Sequence, residues 1–153
     1  MKKIKIAHIL HSVGGVDVSL RFILENINTD KFETIVVHGE NDTKDIYIDR
    51  NSNPLNEYRV SIFRDISIMQ DIKALISVYK IIKKERPNLI HCHSTKGGII
   101  GRIVGYLLNI NVLHTPQAFS FLSTNNTFRK RIYLLLEKLF NFKNSYLLAS
   151  SNS

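Results

Sequence analysis

Three apolar runs in this chain end in small clusters of imidazole and hydroxyl, two of them with a glycine pair and one of those with a lysine. The run 4–10 passes into His11-Ser12-Val13-Gly14-Gly15-Val16-Asp17. The run 88–92 passes into His93-Ser94-Thr95-Lys96-Gly97-Gly98, and the run 111–113 into His114-Thr115-Pro116-Gln117. A glycine pair lets the backbone turn tightly and approach a ligand, because no Cβ stands in the way. Where a helix starts at such a turn, its free N–H groups and positive dipole end favour an anion by about 0.3–1 kcal/mol when exposed. Hydroxyls and imidazoles add hydrogen bonds, and Lys96 adds charge. The chemistry that suits these clusters is capture of a phosphate-bearing ligand. Gly14-Gly15 is one place for it, and Lys96 beside Gly97-Gly98 is a second.

Each cluster also admits plainer roles. Gly14-Gly15 is not the dinucleotide fingerprint, since Asp17 and Val18 stand where G-x-G-x-x-G needs its spacing. Asp17 reads as a helix-start carboxylate with Arg21 one turn later as its partner. His91 and His93 flank Cys92, and this H-x-H on a strand puts both imidazoles on one face. A zinc site needs third and fourth ligands at recognisable spacing, and the sequence displays none, so no metal is expected. His91 then reads as a core histidine and His93, at the strand end, as facing the crevice. Gly97, Gly101 and Gly105 recur every four residues, which clears one helix face for close packing on a sheet.

The elements that must position these clusters alternate. Strand patterns run over 4–10, 32–38, 58–63, 89–92, 112–114 and 146–149. Helical periodicity runs over 17–28, with Val18, Phe22 and Ile23 at helical spacing, over 69–85 up to Pro87, and from the Gly97-Gly98 turn to about 108. Residues 40–58 are polar and read as loop with a short strand at 46–48. A last helix spans 127–142, with Phe128, Ile132, Leu135, Leu136, Leu139 and Phe140 as its apolar face and Arg129, Lys130, Arg131 and Lys138 around it. Strands alternating with helices of this length predict an α/β domain, a mainly parallel sheet with helices on both faces. Ligands of such sheets bind outside the carboxyl ends of the strands, where the strand order reverses. The three clusters are expected to converge there.

At 153 residues the chain has the size of one domain, and 44% hydrophobic with 22% charged residues is ordinary for a soluble protein. The single cysteine excludes a disulfide framework and suits a reducing compartment. Met1-Lys2-Lys3 resembles the start of a signal peptide, but Lys5 and His8 interrupt the apolar run after it and no small-residue cleavage site appears. The longest apolar stretch, 99–110, is broken by Arg102 and falls short of the ~20 residues that span a bilayer. A cytoplasmic location is expected. The formal charge of +8 points to anionic partners. No aromatic interleaving or nucleic-acid motif accompanies it, so nucleic acid is not expected. A phosphorylated substrate or an anionic membrane surface remains, the latter met by the basic side of helix 127–142 with Phe119, Phe121 and Leu122 before it.

Gly14-Gly15-Val16-Asp17, the block 86–98 (RPNLIHCHSTKGG) with Gly101-Arg102, and Thr115-Pro116-Gln117-Ala118-Phe119 together resemble the amino-terminal half of a family-4 glycosyltransferase. The similarity runs from Ile4 to Ser150. It implies a Rossmann-like, doubly wound domain, one half of the retaining GT-B fold, with the nucleotide-sugar donor in a cleft between two such domains. Such enzymes build bacterial capsule, lipopolysaccharide and other polysaccharides on acceptors that are often lipid-linked. By this resemblance residues 1–153 form the acceptor-side domain, and a donor-binding carboxyl-terminal domain with paired glutamates lies outside this chain. Gly14, Gly15 and Val16 are then expected at the donor diphosphate. His11, Ser12, His93, Ser94, Lys96, Gly97, His114, Thr115 and Phe119 are expected in the acceptor cleft. Gln117 occupies the position where the family usually has a histidine near the reacting centre, and Asp17 one where glutamate is common. The expected activity is hexosyl transfer, with the isolated domain inactive and neither metal nor cofactor required. Two alternatives stand beside it. One is a non-catalytic scaffold that pairs with a donor-binding chain. The other is a nucleotide-binding oxidoreductase with Glu40 on a ribose, which the absent glycine fingerprint disfavours.

Overall fold

A computed structural model describes residues 2–63 and 67–116, together with positions 127, 131, 134–135, 138–140 and 142–148. Its strands are β1 (Ile4–Ile9), β2 (Phe32–Gly39), β3 (Asn56–Val60), β4 (Leu89–His93), β5 (Asn111–Thr115) and β6 (Ser145–Leu147). Among the described residues the helices with continuous ranges are α1 (Gly15–Asn26), α2 (Ile68–Glu85) and α3 (Thr95–Leu108). The strands form one sheet in the order β3-β2-β1-β4-β5-β6, and every pairing is parallel. The order reverses between β1 and β4, and this is the Rossmann-like doubly wound sheet expected from the alternation.

β1 shows how the sequence places its two faces. Successive side chains alternate across a strand. Ala7 and Ile9 enter the larger core with Ile35, Val37, Ile90, Cys92 and Val112, beneath α2 and α3. Leu10 enters the smaller core with Val36, Leu20, Leu24 and Tyr47, beneath α1. His8 therefore shares the α1 side of the sheet.

The helices are set by spacing and stops. α2 buries Ala74, Val78 and Ile82, one residue per turn, and ends at Arg86 in the left-handed conformation (φ 47°) before Pro87. α3 lies so close to the sheet that a Cβ on Gly101 would stand 2.0 Å from Cys92 Sγ, and one on Gly105 2.2 Å from Val112 Cγ2. The four-residue glycine period is thus a packing device, as its spacing indicates.

Two apolar stripes differ from expectation. α1 buries Leu20 and Leu24, while Val18 and Phe22 are each 68% exposed. The helix starts at Gly15 rather than 17, and Tyr47 from the 40–55 loop fills the space beneath Leu20 and Leu24. Between 127 and 139 the described residues are helical, yet Leu135 and Leu139 are 56% and 60% exposed, not core. The edge strand β6 is three residues long and likewise leaves Tyr146 and Leu147 exposed. Phe128, Ile132 and Leu136 lie outside the described residues. The 46–48 strand is reduced to a single antiparallel bridge, Ile48 to Pro54. No described helix is long and apolar enough to cross a membrane.

Candidate functional site

The carboxyl ends of β1 and β4 meet at the switch point, and two loops leave from it. After β1, Gly14 takes φ 59° and ψ −127°, a combination that side chains oppose, and α1 begins at the next residue. A Cβ on Gly14 would meet nothing within 4 Å. The glycine is required by its backbone, and the space in front of it is open. The first amides with acceptors in α1 are those of Asp17 and Val18, both on Gly14 O. Among the described residues the N–H groups of Gly14, Gly15 and Val16 have no partner, and both glycines are exposed. They form a row of donors at a helix start, ready for an anion.

The loop is held from behind by a polar network. Ser12 Oγ and Tyr47 OH each donate to Asp17 Oδ1 at 2.7 Å, and Ser12 Oγ and Tyr47 OH also meet. Arg21 Nε donates to Asp17 Oδ2 at 2.9 Å, the i,i+4 pair read from the sequence, and its guanidinium lies 4.4 Å above the Tyr47 ring. Burial pulls the Asp17 pKa up, but the bonds from Tyr47, Arg21 and Ser12 more than offset it, so the carboxyl is held below its usual range. Burial pushes the Tyr47 phenol well above its ordinary value, so it remains a donor. Asp42 anchors the other side, accepting from the amides of Gly39 and Ser12 and lying 2.7 Å from His11 Nδ1. Tyr47 and Asp42 escape sequence reading because both sit in a polar loop. The one hint is an aromatic residue between two isoleucines at 46–48.

After β4, Ser94 adopts φ 65° and ψ 163° and caps α3. Its Oγ accepts from His11 N at 3.3 Å and from Gly97 N at 3.4 Å, tying the β1 loop to α3. His11, Ser12 and Ser94 thus meet beside the Gly14 turn. The second phosphate position is corrected: Gly97 N and Gly98 N are used within the helix start, and a Cβ on Gly97 would lie 2.7 Å from Ile9 O. Lys96 Nζ is 2.7 Å from Asp71 Oδ1 and donates to Phe63 O at 2.6 Å, so its ammonium serves the junction with α2.

His93 is corrected too. It is fully buried on the α1 side of the sheet, its ring stacked on that of His8 and tilted against that of His91. His8 completes a trio that the H-x-H spacing left at two, because parallel pairing sets His8 opposite His91 from 83 positions away. Burial pushes the His8 pKa down to about 3 and the His91 pKa down to about 4, and it lowers His93 strongly. His91 Nε2 meets Thr115 Oγ1 at 2.9 Å, the core role expected of it. His114 is buried with Nε2 3.2 Å from Ser94 O, pressed on Gly98, so His114 and Thr115 support the rim from below. Gln117 and Phe119 lie outside the described residues. A separate concavity of about 420 Å³ between Lys2, Lys3, Lys5, Glu33, Glu85 and Arg86 lies at the amino end of the sheet. Lys5 there is already paired with Glu33 and Glu85, and Rossmann-like sheets bind at the opposite edge.

An all-parallel sheet whose strand order reverses between β1 and β4 defines a Rossmann-like α/β domain. Residues 9–152 match the model of the glycosyl transferase 4-like family, and the chain belongs to that family. It is 36% identical over 139 residues to the UDP-Gal:alpha-D-GlcNAc-diphosphoundecaprenol alpha-1,3-galactosyltransferase of Escherichia coli, covering 88% of this chain and 35% of that protein. It is 28% identical over 91 residues to the capsular polysaccharide biosynthesis glycosyltransferase CapM of Staphylococcus aureus, covering 59% of this chain and 24% of that protein. The chain therefore spans about a third or less of the length of these relatives. In fold it is similar to a UDP-N-acetylglucosamine 2-epimerase from Rickettsia bellii, with TM-score 0.68, 15% identity and coverage of 99% of this chain and 40% of the other.

Proposed function

We propose that this chain is the amino-terminal, acceptor-side domain of a GT-B glycosyltransferase that moves a hexose from a nucleotide-sugar to a lipid-linked glycan of a bacterial surface polysaccharide. The observation that carries it is the row of unpaired amides at Gly14, Gly15 and Val16, set at the switch point of a domain that belongs to this family. Those amides take the donor diphosphate, and the dipole of α1 adds to them. His11 and Ser94 face the acceptor, while Ser12, expected there too, is buried and holds the loop through Asp17 and Tyr47. His93, Gly97, His114 and Thr115 brace them, and Lys96 fixes the rim against α2. Gln117 stands in sequence where the family usually has a histidine that acts near the reacting carbon, and the catalytic role is assigned to it on that ground alone. A donor-binding domain outside this chain closes the cleft.

Transfer proceeds with retention at the sugar carbon. The relative's name gives an alpha linkage in its product, and retention yields that linkage from the usual α-linked nucleotide-sugar. The chain's part is to hold the departing diphosphate and place the acceptor hydroxyl, which lowers the barrier through fixed dipoles and orientation. Amides and helix dipole serve the diphosphate without a metal. The +8 charge favours peripheral contact with the anionic inner face of the membrane, where a lipid-linked acceptor resides.

The test is transfer of labelled galactose from UDP-galactose to a synthetic GlcNAc-diphospholipid, by this domain joined to its donor-binding half. Labelled alpha-linked product supports the reading. A folded two-domain protein that binds UDP-sugars yet makes no product from any hexosyl donor would hand the chain to the scaffold reading.

A further inference from the structure

Three histidines take no part in this transfer chemistry. His8 on β1 and His91 on β4 are register partners, and His93 follows two residues later on the same face. Their exposures are 1%, 8% and 0%. One ligand-capable nitrogen from each lies within 4.8 Å of the other two. His8 Nδ1 and His93 Nε2 are 3.1 Å apart. Two nitrogens each about 2.0–2.1 Å from one tetrahedral zinc ion stand roughly 3.3 Å from each other.

The protein leaves this cluster poorly satisfied. His8 Nδ1 and His93 Nε2, the nitrogens that converge, meet each other, and the opposite nitrogens, His8 Nε2 and His93 Nδ1, are buried without a hydrogen-bond partner. Several other buried positions of β1 and β2, such as Ile9, Ile35, Val36 and Val37, are aliphatic, while His38 on β2 is also buried with ring nitrogens that lack a hydrogen-bond partner. His91 is oriented by Thr115 Oγ1, the kind of outer partner that fixes the ring of a metal ligand. The cluster contains no carboxylate, and Cys92 points to the opposite face against Gly101. A set of neutral imidazoles suits zinc rather than magnesium or calcium.

We propose that His8, His91 and His93 form a three-imidazole zinc site that clamps β1 to β4 directly beneath the switch point. The ion is structural: β1 leads into His11 and the Gly14 turn, and β4 into Ser94, so the clamp fixes the two strand ends that frame the candidate site. It is separate from the diphosphate loop and does not depend on the transfer reading.

The chain is stripped with chelator and titrated with Zn²⁺ against a chromophoric competitor. Co²⁺ serves as a spectroscopic probe, and melting is followed in both metal-free and zinc-loaded states. The expected result is one Zn²⁺ per chain, visible absorption of tetrahedral intensity from the Co²⁺ form, and a higher melting temperature with zinc. His93→Gln and His91→Gln are each expected to weaken zinc binding by about a hundredfold or more, and His11→Gln to leave it unchanged. Should either cluster variant fail to fold, stoichiometry and the Co²⁺ spectrum of the native chain decide alone. A folded native chain that takes up no stoichiometric Zn²⁺, or folded cluster variants that bind it as tightly as the native chain, would overturn the assignment.

Discussion

In the proposed diphosphate site Gly14 and Gly15 act in different ways. Gly14 needs its positive φ, which costs another residue about 1–3 kcal/mol, although a Cβ there meets open space. Gly15 is exposed at the first position of α1, where a branched side chain would stand among the unpaired amides. In the two-domain enzyme Gly15→Val is expected to lower the initial transfer rate by about a hundredfold, the scale of losing a fixed anion-binding donor, with little change in melting temperature. Wild-type rates in a folded Gly15→Val protein would refute the phosphate role of this turn. Lys96→Ala is expected to cost less in rate, because its ammonium already answers Asp71 and Phe63 O. Gln117→His is expected to keep the rate or raise it, and a loss would show that glutamine there has its own role.

At the scale of elements, α3 and the β1–β4 pair make separate predictions. A Cβ at Gly101 would overlap Cys92 Sγ, so Gly101→Ala is expected to destabilise the domain by about 1–3 kcal/mol, the usual cost of overpacking. Adding Cys92→Ala should recover part of that loss in thermal melts, and no recovery would move the contact elsewhere. The histidine trio makes folding acid-sensitive when zinc is kept away by chelator. Burial holds His8 at about 3 and His91 at about 4 in the folded chain, against about 6.5 unfolded. Folding therefore excludes protons that the unfolded chain accepts. The contribution is whole above about pH 6.5 and is lost as pH falls, by about 1.4 kcal/mol per unit for each histidine. Denaturant melts are expected to weaken already between pH 6 and 5, and a native chain equally stable at both would contradict this. The sequence displays α2, α3 and the glycine face because their periods are local. It does not display the trio, since only parallel register brings His8 to His91. It misplaces the α1 stripe because Tyr47, which decides what Leu20 and Leu24 pack on, arrives from a polar loop. It offers Gly97 and Gly98 as donors because spacing alone does not reveal that Ser94 already uses them.

At the scale of the molecule, one sheet edge gathers the Gly14 turn, His11, Ser12 and Ser94, and in the proposed two-domain enzyme it supplies one wall of the cleft. A cleft enzyme gains its transition-state geometry only when both walls close on the donor. The isolated chain is expected to give no transfer above background with UDP-sugars and diphospholipid acceptors. Turnover that stays with this chain through stringent purification would overturn the two-domain reading. The most direct measurement, however, is made on the chain itself, by following backbone amide resonances during titration with UDP. The expected result is a saturable shift at Gly14, Gly15 and Val16, followed by Ser94, that persists with pyrophosphate and is absent with uridine. Shifts centred on Lys2, Lys3 and Arg86 at the opposite edge, or none at the Gly14 turn at saturating UDP, would contradict the claim that this turn holds the donor diphosphate.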